Sequence, residues 1–170
     1  MADTSVDWEL ARQVATKIGD RNGAVSSYHY GTLSPDFERF TAQAEELVAE
    51  TTGLISQMGN ARGRVADRPM WIDANIESFQ RLLNPLSKKL VNPDISLLKE
   101  FGSKASGAEM GMLLGWMSGR VLGQYDLLII EDENPEDQDI VYYVGPNVLA
   151  IEKKYGFPPE EFRLWLALHE

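Results

Sequence analysis

The chain has 170 residues, no cysteine and a formal net charge of −10, with 44% apolar and 25% charged residues. These values are typical of a globular protein, and we expect a single domain over residues 1–170. Disulfides and thiolate sites are excluded, and the acidic balance argues against a nucleic acid or an anionic membrane as partner. The first twenty residues lack a signal-peptide core, and the longest nearly apolar run is too short to cross a bilayer. We therefore expect a cytoplasmic protein.

Apolar residues spaced three and four apart predict helices along most of the chain. The predicted helices cover residues 5–18, 34–58, 69–90, 92–102, 106–124, 145–155 and 158–170, and Pro85 should kink or split the third of them. Residues 59–68 read as a basic loop. The β-rich runs DLLII and DIVYYV, within residues 126–144, predict one hairpin with an acidic connection. The fold class is therefore mainly α (α+β), a helical domain with one small antiparallel β-hairpin.

A row of glycines is the most unusual internal feature. Glycine recurs at every fourth position in residues 107–123, inside a predicted helix that Ser106 and Glu109 would cap. Each helical glycine costs about 1 kcal/mol relative to alanine, so packing must offset the loss. Such a row leaves a groove that admits another backbone, and the carboxy-terminal helix is a candidate to lie there. A ligand in the groove is the alternative.

The last predicted helix begins at the Pro158-Pro159 pair and has acidic residues in its first turn. Four side chains share one helical face and predict that the imidazole points inward: Phe162, Trp165, Leu166 and His169. The dipeptide His169–Glu170 is the first half of the zinc motif HExxH, in which two His bind the metal and Glu activates water. A packed core histidine near a natural terminus is the alternative.

Other polar clusters favour structural roles. The six acidic residues within residues 131–139 lack an EF-hand pattern and indicate a solvated loop. His29, between two tyrosines, indicates a hydrogen-bonded structural histidine. Arg62, Arg64 and Arg68 indicate a solvated or acid-pairing surface.

Four segments resemble the zincin-like type 2 metallopeptidase family, whose members are often labelled as associated with the biosynthesis of a deazaflavin coenzyme. The segments are RPMWIDANIESF (68–79), GMLLGWMSGRVLGQYDLLI (111–129), YYVGPNV (142–148) and FRLWLALHE (162–170). By position, the resemblance implies that His169 is a metal ligand and Glu170 the catalytic glutamate. In that family the last segment continues into the rest of HExxH. The resemblance therefore implies that this chain is the amino-terminal part of a longer protein, truncated within the motif. No residue here indicates a deazaflavin site.

Two functional hypotheses follow. In the first, the chain is the amino-terminal portion of a zinc-dependent metallohydrolase, a metallopeptidase acting on a peptide or protein substrate. Zinc is then expected in the full-length parent, whereas the 170-residue chain alone is expected to be inactive and to bind zinc weakly. In the second, the chain is a non-catalytic helical interaction module. An exposed apolar face on the last helix would favour partner binding or a homo-oligomer.

Overall fold

The computed structural model of the protein describes residues 6–19, 30–55, 61–90, 96–125 and 140–170. Over these ranges the chain forms six helices and three strands. In chain order these are α1 (Trp8–Gly19), α2 (Tyr30–Thr52), β1 (Arg62–Ala66), α3 (Arg68–Leu90), α4 (Ser96–Ser118), β2 (Gly123–Tyr125), β3 (Ile140–Val144), α5 (Gly145–Tyr155) and α6 (Pro159–His169). The predicted mainly α (α+β) class is confirmed. None of the helices formed by these ranges is long and apolar enough to cross a membrane.

The chain divides into two compact units, each assembled from two separate stretches of sequence. Unit 1 comprises Met1–Gly23 and Arg68–Arg120, and unit 2 comprises Ala24–Asp67 and Val121–Glu170. Unit 1 contains α1, α3 and α4, whereas unit 2 contains the sheet with α2, α5 and α6. The single-domain organisation of residues 1–170 stays a prediction.

The first three glycines of the row lie on α4 and form the surface against which α1 packs in unit 1. The predicted helix over 106–124 extends too far, because α4 ends at Ser118 and Gly123 belongs to β2. A Cβ built on Gly111 would lie 2.5 Å from the carbonyl oxygen of Ala11, and one on Gly115 would lie 2.8 Å from the carbonyl oxygen of Ala15. Both alanines are fully buried on α1. The two backbones therefore approach over small residues on both sides, as the glycine spacing predicts. Helix α1 therefore occupies the groove for which the carboxy-terminal helix and a ligand were the candidates.

Several predicted helix boundaries are wrong. Helix α4 starts at Ser96 and continues through Gly102, so the predicted break there and the capping box at Ser106 do not exist. Helix α3 has almost the predicted bounds, Arg68–Leu90, and Pro85 does not split it. A single glycine or proline is a weak local signal that the rest of the fold can override, so it does not by itself end a helix. Helix α2 ends six residues before the predicted boundary, where Gly53 adopts a positive φ of 73°.

Replacing Gly115 by leucine should separate α1 from α4. The new side chain would begin 2.8 Å from the Cβ of Ile18, where backbone and branched side chain leave no room. We expect Gly115→Leu to reduce the free energy of unfolding by about 3 kcal/mol, at the upper end of overpacking effects. The matched control is Gly102→Leu on the same helix, because nothing lies within 4 Å of that position. Urea denaturation followed by circular dichroism measures both, and equal midpoints for the two variants would contradict this packing.

The sheet of unit 2 has the order β1–β3–β2, with β1 parallel and β2 antiparallel to β3. The antiparallel pairing confirms that the chain makes a hairpin with Ile140–Val144, although its first strand is Gly123–Tyr125. The predicted strand at 126–130 and the acidic connection lie outside the described residues. The predicted basic loop is wrong, because it contains β1: Arg62 and Arg64 are exposed, Val65 packs against the core of unit 2, and Ala66 is buried. Alternation over only five residues, interrupted by glycine, hid this strand.

One face of the sheet forms the core of unit 2 with α2 and α6. Val141 and Tyr143 of β3 are buried there among apolar side chains of both helices, with Val65 and Tyr125 beside them. The strand register places Gly63 opposite Val141 and Gly123 opposite Tyr143, so both glycines belong to this face. Two positions of the core-facing surface therefore carry no side chain.

A buried ion cluster joins the three helices of unit 2. Arg163 of α6 is only 2% exposed; its Nε and Nη2 donate to the two carboxylate oxygens of Glu152 on α5 at 2.7 and 3.0 Å. Its Nη1 donates to Asp36 of α2 at 2.6 Å and to the hydroxyl of Thr32 at 3.1 Å. The guanidinium thus fixes the side of α6 that faces α2 and α5.

Candidate functional site

The last helix begins and ends where the sequence predicts, but it is rotated relative to the predicted orientation. Pro159 opens it, Glu160 and Glu161 occupy its first turn, and it ends at His169. Its buried residues are Phe162, Arg163, Leu166 and Ala167. Trp165 is 54% exposed and His169 is also exposed.

The prediction that His169 points inward is therefore wrong. Successive helical residues are about 100° apart, so a buried face made of 162, 163, 166 and 167 is centred away from position 169. The error arose from counting Trp165 as a core residue and missing Arg163, whose charge is buried by ion pairing. The same geometry places position 170 on the side of α6 that bears the buried residues, but at the end of the helix the Glu170 residue is itself exposed.

The imidazole of His169 stacks on the indole of Trp165, one helical turn earlier. The ring centroids are 5.4 Å apart and the planes differ by 11°. Trp165 in turn stacks on Phe162 at 6.0 Å. An exposed imidazole held against a large ring at a helix end is accessible to a ligand while its side-chain freedom is restricted.

The side chain of Glu170 lies across the backbone of Gly123, the first residue of β2. A Cβ built on Gly123 would lie 2.6 Å from Oε1, 2.7 Å from Cδ and 2.7 Å from Cγ of Glu170. The backbone N–H of Glu170 donates to the carbonyl of Leu166 at 3.2 Å, which keeps this residue in the line of α6. Burial raises the pKa of the Glu170 carboxyl, and the neighbouring His169 acts in the opposite direction.

Tyr143 is the cross-strand neighbour of Gly123 and is fully buried. Its hydroxyl lies 2.9 Å from the hydroxyl of Thr41, and its ring stacks on Phe37 at 3.8 Å. Burial is the main cause that raises the pKa of Tyr143 to about 12; the negative charge of Glu170 also raises it, and the Thr41 hydrogen bond lowers it. Two acidic groups, one carboxyl and one phenol, are thus close enough to influence each other beneath α6.

The raised pKa of Tyr143 makes stability depend on pH at the alkaline end. The folded protein keeps the phenol protonated up to about pH 12, while an unfolded chain releases the proton near pH 10. The stabilisation is complete below pH 10 and is lost as the pH rises to 12, a loss of about 2–3 kcal/mol. We expect Tyr143→Phe to unfold with a flatter pH dependence over this window, measured by urea denaturation at successive pH values. Loss of the Tyr143 hydrogen bond changes the free energy of unfolding by the same amount at every pH. An unchanged dependence of this free energy on pH would therefore contradict the raised pKa of Tyr143.

A single zinc ligand fits the described site. The imidazole of His169 is the nitrogen donor that zinc prefers, and it is exposed. Among the residues that the structure describes, no three His, Cys, Asp or Glu side chains gather in a way that could hold a metal ion. Among the described residues, His169 is therefore a candidate ligand that is not part of a group of three such side chains.

The other candidate residues from the sequence lie in different environments. Arg62 and Arg64 line a groove of about 540 Å³ between β1 and α2, together with Ser34 and Glu38. Arg68 is buried, and burial lowers its pKa. His29 and the acidic residues of 131–139 lie outside the described ranges.

The sequence places Trp165 on the same helical face as His169, and the stacking of the two rings agrees with this placement. Sequence reasoning missed Gly123 and Tyr143 as neighbours of the dipeptide. These two residues gave no local signal, since only the strand pairing brings them close to Glu170.

Comparison with known proteins identifies the family. The zincin-like metallopeptidase family profile matches residues 6–170. The chain is similar to the crystal structure of a candidate hydrolase with a novel fold from Chloroflexus aurantiacus, with 32% identity and a TM-score of 0.70. The match covers 97% of this chain and 50% of that one, so the chain spans about half the length of this relative. No curated protein matches the chain significantly. The chain belongs to the zincin-like metallopeptidase family.

Proposed function

We propose that the chain is the amino-terminal portion of a zinc-dependent metallohydrolase that cleaves peptide bonds. His169 is one metal ligand, and Glu170 is the general base. The family match and the hydrolase-like neighbour support the class of reaction. The single observation that carries the residue assignment is the divergence of the dipeptide: an exposed imidazole and, next to it, a carboxylate seated against Gly123.

The environment of Glu170 suits proton transfer. Partial desolvation raises the pKa of the Glu170 carboxyl, and the positive charge of His169 lowers it; a raised pKa is the direction that suits a general base. Glu170 would take a proton from water as the water oxygen bonds to the peptide carbon. It would return that proton to the amide nitrogen as the carbon–nitrogen bond breaks.

His169 would hold zinc beside the Glu170 carboxylate. Zinc supplies a Lewis acid that polarises the carbonyl of the substrate. Stacking on Trp165 limits the rotation of the imidazole, so the ligand is oriented before metal arrives. The remaining ligands belong to chain beyond the described residues.

Hydrolysis by the full-length protein tests this proposal. Zinc-loaded full-length protein should release fluorescent peptides from labelled casein. A chelator should stop the release, and added zinc should restore it. Absence of cleavage by zinc-loaded protein, or cleavage that the chelator leaves unchanged, would contradict the proposal.

An interaction module is the second candidate, favoured by a row of stacked rings on the surface of unit 2. Neighbouring rings in this aromatic row are 5.1–6.0 Å apart, and most are exposed: Tyr155, Phe157, Phe162, Trp165 and His169. Exposed contiguous apolar surface favours association. A dimer in analytical ultracentrifugation that Trp165→Glu dissociates would support this function, and a monomer at all concentrations would count against self-association.

A further inference from the structure

Unit 2 contains two glycines on the core-facing side of its sheet, and what lies over each one differs. Above Gly63 the nearest atoms are the carbonyl oxygen and carbon of Phe37, at 2.5 and 2.9 Å from a built Cβ, and the hydroxyl of Thr41. The lack of a side chain at Gly63 therefore allows the backbone of α2 to pack closely against the strand. Above Gly123 the three nearest atoms all belong to the side chain of Glu170.

Glycine at position 123 is unfavourable for the stability of β2. Glycine weakens a strand relative to a residue with a side chain, and a strand glycine often marks a close approach. The opposite residue on β3 is the large Tyr143, so the empty position borders a bulky neighbour. No positive φ requires glycine at this position, since Gly53 and Gly156 are the glycines with positive φ among the described residues. The property of Gly123 that matters at this site is therefore its lack of a side chain.

We infer that Gly123 is a positioning residue for the reaction, because its missing side chain forms the seat that holds the Glu170 carboxylate. This inference rests on the proposed function for the role of Glu170, while the seat itself rests on the contacts alone. Cγ, Cδ and Oε1 lie within 2.7 Å of one point, so even a methyl group would move the carboxylate. The carboxylate is the free end of a flexible side chain, so it can leave without disturbing the backbone.

The inference predicts a separation of effects between two alanine variants. Gly63→Ala should destabilise unit 2, because its Cβ meets backbone of α2. Gly123→Ala should melt close to the wild type, because only the Glu170 side chain moves. A purely structural role for Gly123 predicts the same loss of stability for both variants.

The experiment uses the zinc-loaded full-length protein with labelled casein, and Gly31→Ala serves as the control because nothing lies within 4 Å of that glycine. We expect Gly123→Ala to lower kcat by roughly 10- to 100-fold with KM and zinc affinity unchanged, as for a misplaced catalytic group. Gly123→Val should lower kcat further, and Gly31→Ala should not change it. Wild-type kcat in Gly123→Ala would overturn the inference.

A crystal structure of full-length Gly123→Ala gives a readout that does not depend on activity. The Glu170 carboxylate should move by at least about 1 Å, with the strand unchanged. A carboxylate that stays in place would overturn the inference even if the protein is active. Inactive wild-type protein with a displaced carboxylate would refute the proposed function and leave the seat supported.

Discussion

Glu170→Gln in the zinc-loaded full-length protein should lower kcat on labelled casein by about 10²–10⁴-fold, the usual contribution of a general base. The amide keeps the size of the carboxylate and fills the same seat over Gly123, but it cannot accept the proton from water. Zinc affinity should not change, because the glutamate is not a ligand in the proposed site. The measurement is kcat at saturating casein, with zinc content determined on the same sample.

Glu161→Gln is the matched control for this substitution. Glu161 is exposed in the first turn of the same helix, so the same loss of charge there should leave kcat unchanged. A Glu170→Gln variant that retains wild-type kcat would show that another group accepts the proton.

Arg163→Met should produce the second large effect, a loss of about 3–5 kcal/mol in the free energy of unfolding. The substitution removes a guanidinium that is 2% exposed and leaves the carboxylate of Glu152 buried without its bidentate partner. Urea denaturation followed by circular dichroism measures the loss. Adding Glu152→Gln to Arg163→Met should recover part of it, because the unpaired buried charge is then gone.

Arg39→Met is the control that compares an exposed ion pair with the buried one at Arg163. Arg39 also contacts Asp36, at 3.3 Å, but its side chain is 53% exposed, so we expect a change below about 1 kcal/mol. Equal losses for Arg39→Met and Arg163→Met would contradict the account of the ion cluster.

The helices with strong local signals and the strand β3 could be predicted from sequence, whereas β1 and the bounds of β2 could not. Helix α5 begins beside Pro146 and ends at Gly156 with φ of 66°, as the pattern predicts. The glycine row correctly indicated a close helix contact, but no local feature named α1 as its partner. The parallel pairing of β1 with β3 joins residues almost eighty positions apart, and local periodicity carries no information about such a pairing.

The dipeptide His169–Glu170 was found from its motif and its family, while its geometry was assigned wrongly. Burial was taken as the sign of a metal ligand, and the exposed imidazole of His169 removes that argument, so the proposed metal role rests on the family match. Arg163 decided the orientation of α6, because a paired charge occupies the place where an apolar residue was assumed. The side chain of Glu170, which the resemblance implies to be the catalytic glutamate, is exposed and contacts Gly123, a neighbour that the sequence did not predict.

Zinc binding measured by isothermal titration tests the central claim most directly, by comparing full-length protein, full-length His169→Ala and the 170-residue chain. The account predicts tight one-to-one binding by the full-length protein, strong weakening in His169→Ala, and weak binding by the 170-residue chain, because one imidazole cannot build a three-ligand site. Tight one-to-one binding by the 170-residue chain, or undiminished binding by His169→Ala, would contradict it.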